Sequence, residues 1–168
     1  HGPCPAGSYV TNVDDDFDGV GVTAAGTHCV ACPAGRISSE DGSSSCTAGP
    51  VGKPSVEGDT QCSACDSGTF AEQAGTAPCK QCRAGEYTDA TESVACSSCS
   101  PGTYSPRGSS SCSSCELGKS SGLGAETCDA CVAGTYADAE GSATCDACVA
   151  GTYAEAVGSH TCASCQPG

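Results

Sequence analysis

The stretch CDACVAGTYA occurs at residues 128–137 and again, unchanged, at residues 145–154. Working outward from it, CxxC pairs begin at Cys29, Cys62, Cys79, Cys96, Cys112, Cys128, Cys145 and Cys162. With Cys46 counted between the first two, these positions are 16 or 17 residues apart. Similarity at a fixed short period indicates a repeat protein, so the chain contains about ten copies of one unit.

The unit reads C-x-x-G-x-[YF], a few polar residues, usually a second glycine, three residues and the next CxxC. The first glycine stands at Gly7, Gly35, Gly52, Gly68, Gly85, Gly102, Gly118, Gly134, Gly151 and Gly168. The second stands at Gly42, Gly58, Gly75, Gly108, Gly124, Gly141 and Gly158. A glycine kept at one position favours a turn with positive φ, so two such turns predict a short β-hairpin in each unit.

Six of the seven aromatic residues occupy one position, two residues after the first glycine: Tyr9, Phe70, Tyr87, Tyr104, Tyr136 and Tyr153. Aromatic rings bury more area than other side chains, so we expect each ring to pack against the neighbouring disulfide. The alternative is a row of exposed rings that recognises carbohydrate or protein.

Composition predicts a small disulfide-rich fold. Fewer than a tenth of the 168 residues are Leu, Ile, Val or Phe, and the net charge is −14. A chain of this kind is expected to be disordered unless it is cross-linked. The 18 cysteines supply cross-links in place of a core. We therefore predict an elongated, solenoid-like array of short β-hairpin units with little regular secondary structure.

CxxC pairs are compatible with zinc binding, redox chemistry or a disulfide ladder. Zinc sites use cysteines in groups of four, and a redox pair lies at a helix start, whereas these pairs are evenly spaced in Gly, Ser and Ala surroundings. The pattern favours the ladder, which joins the second cysteine of one pair to the first of the next. The predicted bridges are Cys4–Cys29, Cys32–Cys46, Cys65–Cys79, Cys82–Cys96, Cys99–Cys112, Cys115–Cys128, Cys131–Cys145 and Cys148–Cys162.

Two cysteines are left over by this pairing. Gly49 stands where the partner of Cys62 should be, and the partner of Cys165 would lie beyond the last residue. Leftover cysteines in a secreted chain suggest a longer parent protein or an intermolecular bridge. We expect Cys62 either to re-pair locally with Cys46 or Cys32, or to link to another chain, with Cys165 of the next copy as one partner.

Several segments carry a family resemblance: CPAGSY at Cys4, CPAGR at Cys32, CSPGTYS at Cys99 and the two CVAGTYA copies. They resemble the cysteine-rich repeats of ephrin-type receptor ectodomains, of tumour-necrosis-factor receptors and of protist and metazoan surface proteins. The resemblance covers nearly the whole chain. It implies an extracellular module, and it leaves receptor, adhesin and stalk open because such modules serve all three.

The repeat divides the chain into three parts. Residues 1–31 form an irregular N-terminal unit with an acidic insertion. Residues 32–61 hold two units, of which the second is degenerate because Gly49 replaces a cysteine. Residues 62–168 are regular repeats that end on CQPG, the opening of a further unit. We expect the array to continue in a longer extracellular protein.

The acidic insertion is a calcium candidate. Asp14, Asp16 and Asp18 alternate and precede Gly19, as in a calcium-binding loop. Position twelve of such a loop is Ala25 instead of an acid, so we predict at most a weak site. The alternative is a solvated acidic turn.

The remaining features favour a structural role. The chain has twenty Asp and Glu but only six Lys and Arg, and the cations form no basic patch. Nucleic acid and anionic membranes are therefore disfavoured as partners. The sequence contains no combination of a nucleophile and a base that would indicate an enzyme. We expect a non-enzymatic segment of an extracellular surface protein, stalk or filament, or alternatively a ligand-binding receptor or adhesin ectodomain. Its expected partners are other copies or other extracellular proteins, with O-linked glycan on its Ser-rich loops.

The ladder predicts different responses to reductant and to chelator. Reduction should convert the repeats to a disordered chain, because disulfide loops of about 14 residues contribute on the order of 3 kcal/mol each. A chelator should leave residues 62–168 unchanged. Circular dichroism under both treatments measures the difference, and unfolding by the chelator alone would favour zinc.

Overall fold

The computed structural model describes residues 3–12, 27–75 and 78–166, and in this part of the chain all regular structure is β. The strands form eight two-stranded antiparallel hairpins. They are β1 (Ser8–Asn12) with β2 (Thr27–Ala31), β3 (Arg36–Ile37) with β4 (Thr47–Ala48), β5 (Thr69–Phe70) with β6 (Lys80–Gln81), β7 (Glu86–Tyr87) with β8 (Ser97–Ser98), β9 (Thr103–Tyr104) with β10 (Ser113–Ser114), β11 (Lys119–Ser120) with β12 (Asp129–Ala130), β13 (Thr135–Tyr136) with β14 (Asp146–Ala147), and β15 (Thr152–Tyr153) with β16 (Ala163–Ser164). The prediction of a small disulfide-rich array of short β-hairpins is confirmed.

Each hairpin follows directly from the sequence unit. Its first strand comes right after the first glycine. From β5 onward the second strand consists of the two residues between the cysteines of the next CxxC; β4 lies between Cys46 and Gly49, and β1 and β2 are longer, with five residues each. In β9 and β10, Tyr104 pairs with Ser113 and Thr103 with Ser114. The two residues inside CxxC are therefore the length of a strand, which explains the constant spacing.

We number the repeats by their opening position. Repeats 1 to 9 open at Cys4, Cys32, Gly49, Cys65, Cys82, Cys99, Cys115, Cys131 and Cys148. The chain divides into two compact units that alternate along the sequence. One unit comprises His1–Asp66, Phe70–Lys80 and Thr91–Ala95, and the other comprises Ser67–Thr69, Gln81–Ala90 and Cys96–Gly168. Each contact described below lies within one unit.

Within each unit, consecutive repeats are joined by recurring backbone hydrogen bonds. The first glycine donates its N–H to the carbonyl of the residue after the aromatic position in the next repeat, as from Gly102 to Ser121 at 2.8 Å. The residue at the second-glycine position donates to the opening residue of the previous repeat, as from Gly124 to Cys99 at 2.8 Å. These bonds satisfy backbone groups that a two-residue strand leaves unpaired. We call the set of hydrogen bonds between two consecutive repeats a joint.

The first glycine also contacts the repeat after next. A Cβ built on Gly102, in repeat 6, would overlap the carbonyl oxygen of Gly141, in repeat 8. The φ of Gly102 is +84°, as the turn requires. The first glycine is therefore constrained twice, by a positive φ and by a backbone approach that leaves no room for a side chain.

The second-glycine position is constrained mainly by its φ, and the tightest contact of a built Cβ is 3.2 Å, between Gly42 and the side chain of Pro3. Built Cβ atoms on Gly58 and Gly124 meet nothing closer than 3.9 Å. In repeat 5 this position holds Glu92, the only non-glycine with positive φ, +60°, among the described residues. A side chain fits there at the cost of about 1–2 kcal/mol of left-handed backbone strain.

The interior consists of sulfur, glycine and small side chains. Seven of the eight cysteines that open repeats are at most 1% exposed, and the eighth, Cys148 in the last repeat, is half-buried; the seven are Cys4, Cys32, Cys65, Cys82, Cys99, Cys115 and Cys131. The residue after the aromatic position is also buried and is small, as in Ala71 and Ser105. The Ser105 hydroxyl donates to the Glu86 carbonyl at 3.0 Å, so a buried polar atom strengthens the joint.

Repeat 3 departs from the rest because it has no assigned strand pair. Pro54 occupies the aromatic position of this repeat and has no N–H to give to the ladder. One of the two bonds remains, from the Ser63 N–H to the Pro54 carbonyl at 2.9 Å. The degeneracy predicted at Gly49 therefore extends to the hairpin itself.

Substituting Gly102 tests the close backbone approach. Gly102→Ala should destabilise its joint by more than the 1–2 kcal/mol of left-handed strain, because the methyl group meets the Gly141 carbonyl. Gly141 cannot easily retreat, since its N–H donates to Cys115 at 2.8 Å. Native-state hydrogen exchange of the Gly141 amide measures the loss of protection.

Gly134→Ala is the matched control. Gly134 has the same positive φ, +83°, but a Cβ there meets nothing within 4 Å. This variant should lose only the conformational term. Equal losses in the two variants would contradict the stacking role of the first glycine.

Candidate functional site

Eight disulfides cross-link the array, and they join the cysteine pairs that the ladder specifies. Each bridge closes one hairpin, with Cα–Cα distances of 5.4–5.8 Å, which are normal for disulfides. In seven of them 13 or 14 residues separate the two cysteines, and in Cys4–Cys29 the separation is 25 because the acidic insertion lies between them.

Two of the aromatic rings lie beside the disulfide of the following repeat. Tyr104 and Cys128 line one surface groove, and Tyr9 and Cys46 line another. Packing of each ring on a disulfide stays a prediction. The rings are nevertheless half-buried, and Tyr153 is 46% exposed, so the most buried groups are the cysteines that open the repeats.

The disulfide ladder has a gap in repeat 3. Cys62 is a half-buried free thiol, and Cys32 and Cys46 are bonded to each other, so the structure does not contain the local re-pairing of Cys62. A Cβ built on Gly49 would lie 2.6 Å from the Cys62 sulfur. The backbone is thus already placed for the missing bridge. Cys165 is a free, exposed thiol, and its link to another chain stays a prediction.

The cysteines of the ladder are not available as metal ligands because a disulfide sulfur is not a thiolate. In residues 3–12, 27–75 and 78–166, no group of three His, Cys, Asp or Glu side chains could hold a metal ion. The calcium candidates Asp14, Asp16 and Asp18 lie outside the described residues.

Surface charges form three ion pairs in the described part of the chain: Lys53 with Glu92 at 3.0 Å, Lys80 with Glu72, and Lys119 with Glu116 at 2.8 Å. The hydrogen bond and the opposite charge lower the pKa of Glu116 and raise the pKa of Lys119. This pair is therefore intact at neutral pH, and it is lost as acid protonates Glu116 or as base deprotonates Lys119. The side chains of Lys119 and Glu116 are 42% and 79% exposed, so solvent screens the attraction.

The described side chains thus close the hairpins and hold consecutive repeats together, as is typical of extracellular cysteine-rich repeat modules. The family model described as "Tyrosine-protein kinase ephrin type A/B receptor-like" matches residues 52–99 and 118–165. These two 48-residue matches cover more than half of the chain, and the chain belongs to this family. No curated protein matches the chain at a significant level. The likeness to tumour-necrosis-factor receptors stays a prediction.

Membership in this family and the eight disulfides indicate an extracellular ectodomain segment, since such bridges persist in oxidising compartments. The family is not a known family of enzymes. Within the part of the chain that the structure describes, no helix is both long and apolar enough to cross a membrane.

Restoring the cysteine at position 49 should complete a ninth disulfide. In Gly49→Cys the new sulfur should bond to Cys62, with the same separation as Cys99–Cys112. The φ of Gly49 is not in the left-handed region, so a side chain adds no strain of that kind, but the new Cβ lies 2.9 Å from the Lys53 carbonyl oxygen, which must move aside. The bridge should stabilise repeat 3 by about 3 kcal/mol through loop closure.

Thiol titration and peptide mapping measure the result. The variant should have one free thiol fewer than the natural chain, and residues 49–62 should gain protection from hydrogen exchange. Gly49→Ser is the control, because it adds a side chain of similar size without a bridge. A variant that keeps a reactive Cys62 would contradict the predicted geometry.

Proposed function

We propose that this chain is a non-enzymatic structural segment of an extracellular surface protein, stalk or filament. The observation that carries the proposal is the repetition of the same joint. In repeat after repeat the first glycine donates to the next repeat, at N···O distances between 2.7 and 3.0 Å. A constant joint gives each added repeat the same geometry, which is what a spacer requires.

The use of side chains supports the same role. The buried positions hold cysteines and small residues, and these close hairpins and seat the backbone of the neighbouring repeat. Acidic side chains predominate among the charged residues, and a net charge of −14 keeps an array with little apolar core soluble and separate from its neighbours.

The proposed partners are other copies of the chain or other extracellular proteins. Exposed serines in the two GSSSC loops, Ser44 and Ser110 among them, support O-linked glycan as a further surface feature. An interchain bridge through Cys62 or Cys165 is part of the proposal, and non-reducing mass spectrometry of the intact assembly tests it.

A ligand-binding receptor or adhesin ectodomain is the second candidate. The observation that favours it is a groove beside repeat 3, which is larger in volume than the two grooves that Tyr104 and Tyr9 line. Recognition at one irregular repeat is compatible with a spacing role for the regular ones.

Changing the number of repeats tests the spacer role. Residues 131–134 and 148–151 are both CVAG, so deleting or duplicating residues 132–148 removes or adds one repeat in register. Small-angle scattering should show the maximum dimension decreasing and increasing by the same amount. That amount is at most about 30 Å, half of a fully extended repeat. A dimension that stays constant across the three lengths would contradict a spacer.

A further inference from the structure

Repeat 3 carries an open groove of about 520 Å³ that we call the third-repeat groove. The residues that matter for its chemistry are Pro54, Val56, Asp59, Ala64, Pro78 and Cys79. Pro54 is buried at its floor, and Val56 is 62% exposed at its wall. The groove is mainly apolar and has one carboxylate.

The third-repeat groove shares three lining positions with two grooves that contain a tyrosine, which we call the tyrosine grooves. One of those contains Tyr104, Thr127 and Cys128, and the other contains Tyr9, Ser45 and Cys46. Each combines the aromatic position of one repeat with the closing cysteine of the next repeat and the residue before that cysteine. In the third-repeat groove these positions are Pro54, Cys79 and Pro78.

The two tyrosine grooves are smaller, at about 240 and 290 Å³. In each of them a ring of the chain itself occupies the aromatic position, and repeat 3 has the compact Pro54 there. Repeat 3 thus has open space beside Pro54, at the position where repeats 1 and 6 carry a tyrosine ring.

Charge further defines what the groove accepts. Residues 54–79 contain no lysine or arginine, and repeat 3 itself has two carboxylates, Glu57 and Asp59. The flanking cations Lys53 and Lys80 are neutralised by ion pairs with Glu92 and Glu72. Asp59 lines the groove, and Glu57 lies exposed close by in the sequence. An apolar space with an acidic rim suits an aromatic group next to positive charge.

We propose that the third-repeat groove docks a segment of a partner protein that presents an aromatic ring flanked by lysine or arginine. The ring takes the position that Tyr9 and Tyr104 hold in repeats 1 and 6, and the cations meet the acidic rim. This interaction goes beyond the spacing role and does not depend on it.

Short peptides are suitable probes. Acetyl-Lys-Tyr-Lys-amide should shift the amide resonances of Val56, Asp59 and Ala64 in a saturable manner, with a Kd on the order of 1 mM for a single docked ring. Acetyl-Lys-Ala-Lys-amide should cause no saturable shift because it lacks the ring. Acetyl-Glu-Tyr-Glu-amide should bind at least 10-fold more weakly because its charge opposes the rim.

Pro54→Tyr is the decisive variant because it returns the ring to the chain and fills the groove. It should weaken binding of the lysine–tyrosine peptide at least 10-fold. Ser120→Tyr is the matched control. Ser120 holds the aromatic position of repeat 7. Its hydroxyl lies 3.3 Å from the sulfur of Cys145, the closing cysteine of the next repeat. This variant should bind like the natural chain.

A second pair of variants guards against misfolding. Val56→Lys adds a cation at the exposed wall and should also weaken binding, whereas Val94→Lys changes an exposed valine that does not line the groove and should not. Absence of saturable shifts, equal binding of the alanine peptide, or unchanged binding by Pro54→Tyr would each overturn the proposal. Concentration-dependent shifts of these amides without peptide would assign the groove to a second copy, and would overturn it as well.

Discussion

Closure of each hairpin by a disulfide is the constraint on which the other features depend. Fewer than a tenth of the residues are Leu, Ile, Val or Phe, so apolar burial cannot repay the conformational entropy of folding. A bridge that closes a loop of about 14 residues acts on the unfolded chain instead, and contributes on the order of 3 kcal/mol. Stability therefore depends on covalent closure, while the buried interior needs only small groups around the sulfur.

The small volume of the buried side chains requires the backbones of neighbouring repeats to approach closely. Because little side-chain volume separates the repeats, main chains come into direct contact, as between Gly102 and the Gly141 carbonyl two repeats later. Only glycine fits such an approach with a positive φ. This double constraint applies to the first glycines of repeats 1 to 7, each of which lies against the repeat after next, whereas the second position has more room and admits Glu92.

The cysteine period made the hairpins, their bridges and the family resemblance predictable, because each depends on residues close in sequence. The contact of a glycine with the repeat after next was not predictable, since a one-dimensional period does not show how successive units stack. The burial of Ser105 in place of an aromatic ring follows from the same stacking. Pro54 did carry a usable signal, because a proline at the aromatic position predicts both a lost strand bond and a missing ring.

Repeat 3 shows the effect of the backbone hydrogen bonds separately from that of the disulfide. It has neither a disulfide nor a full strand pair, yet its joints are intact: Gly49 donates to Gly35 at 2.9 Å and Gly52 donates to Ala71 at 3.0 Å. Backbone joints therefore fix the register of the repeat without a bridge, and the bridge adds stability to a geometry already set. A repeat that keeps its joints is free to lose a cysteine and a ring, and this freedom allows one position in a regular array to acquire a surface of its own.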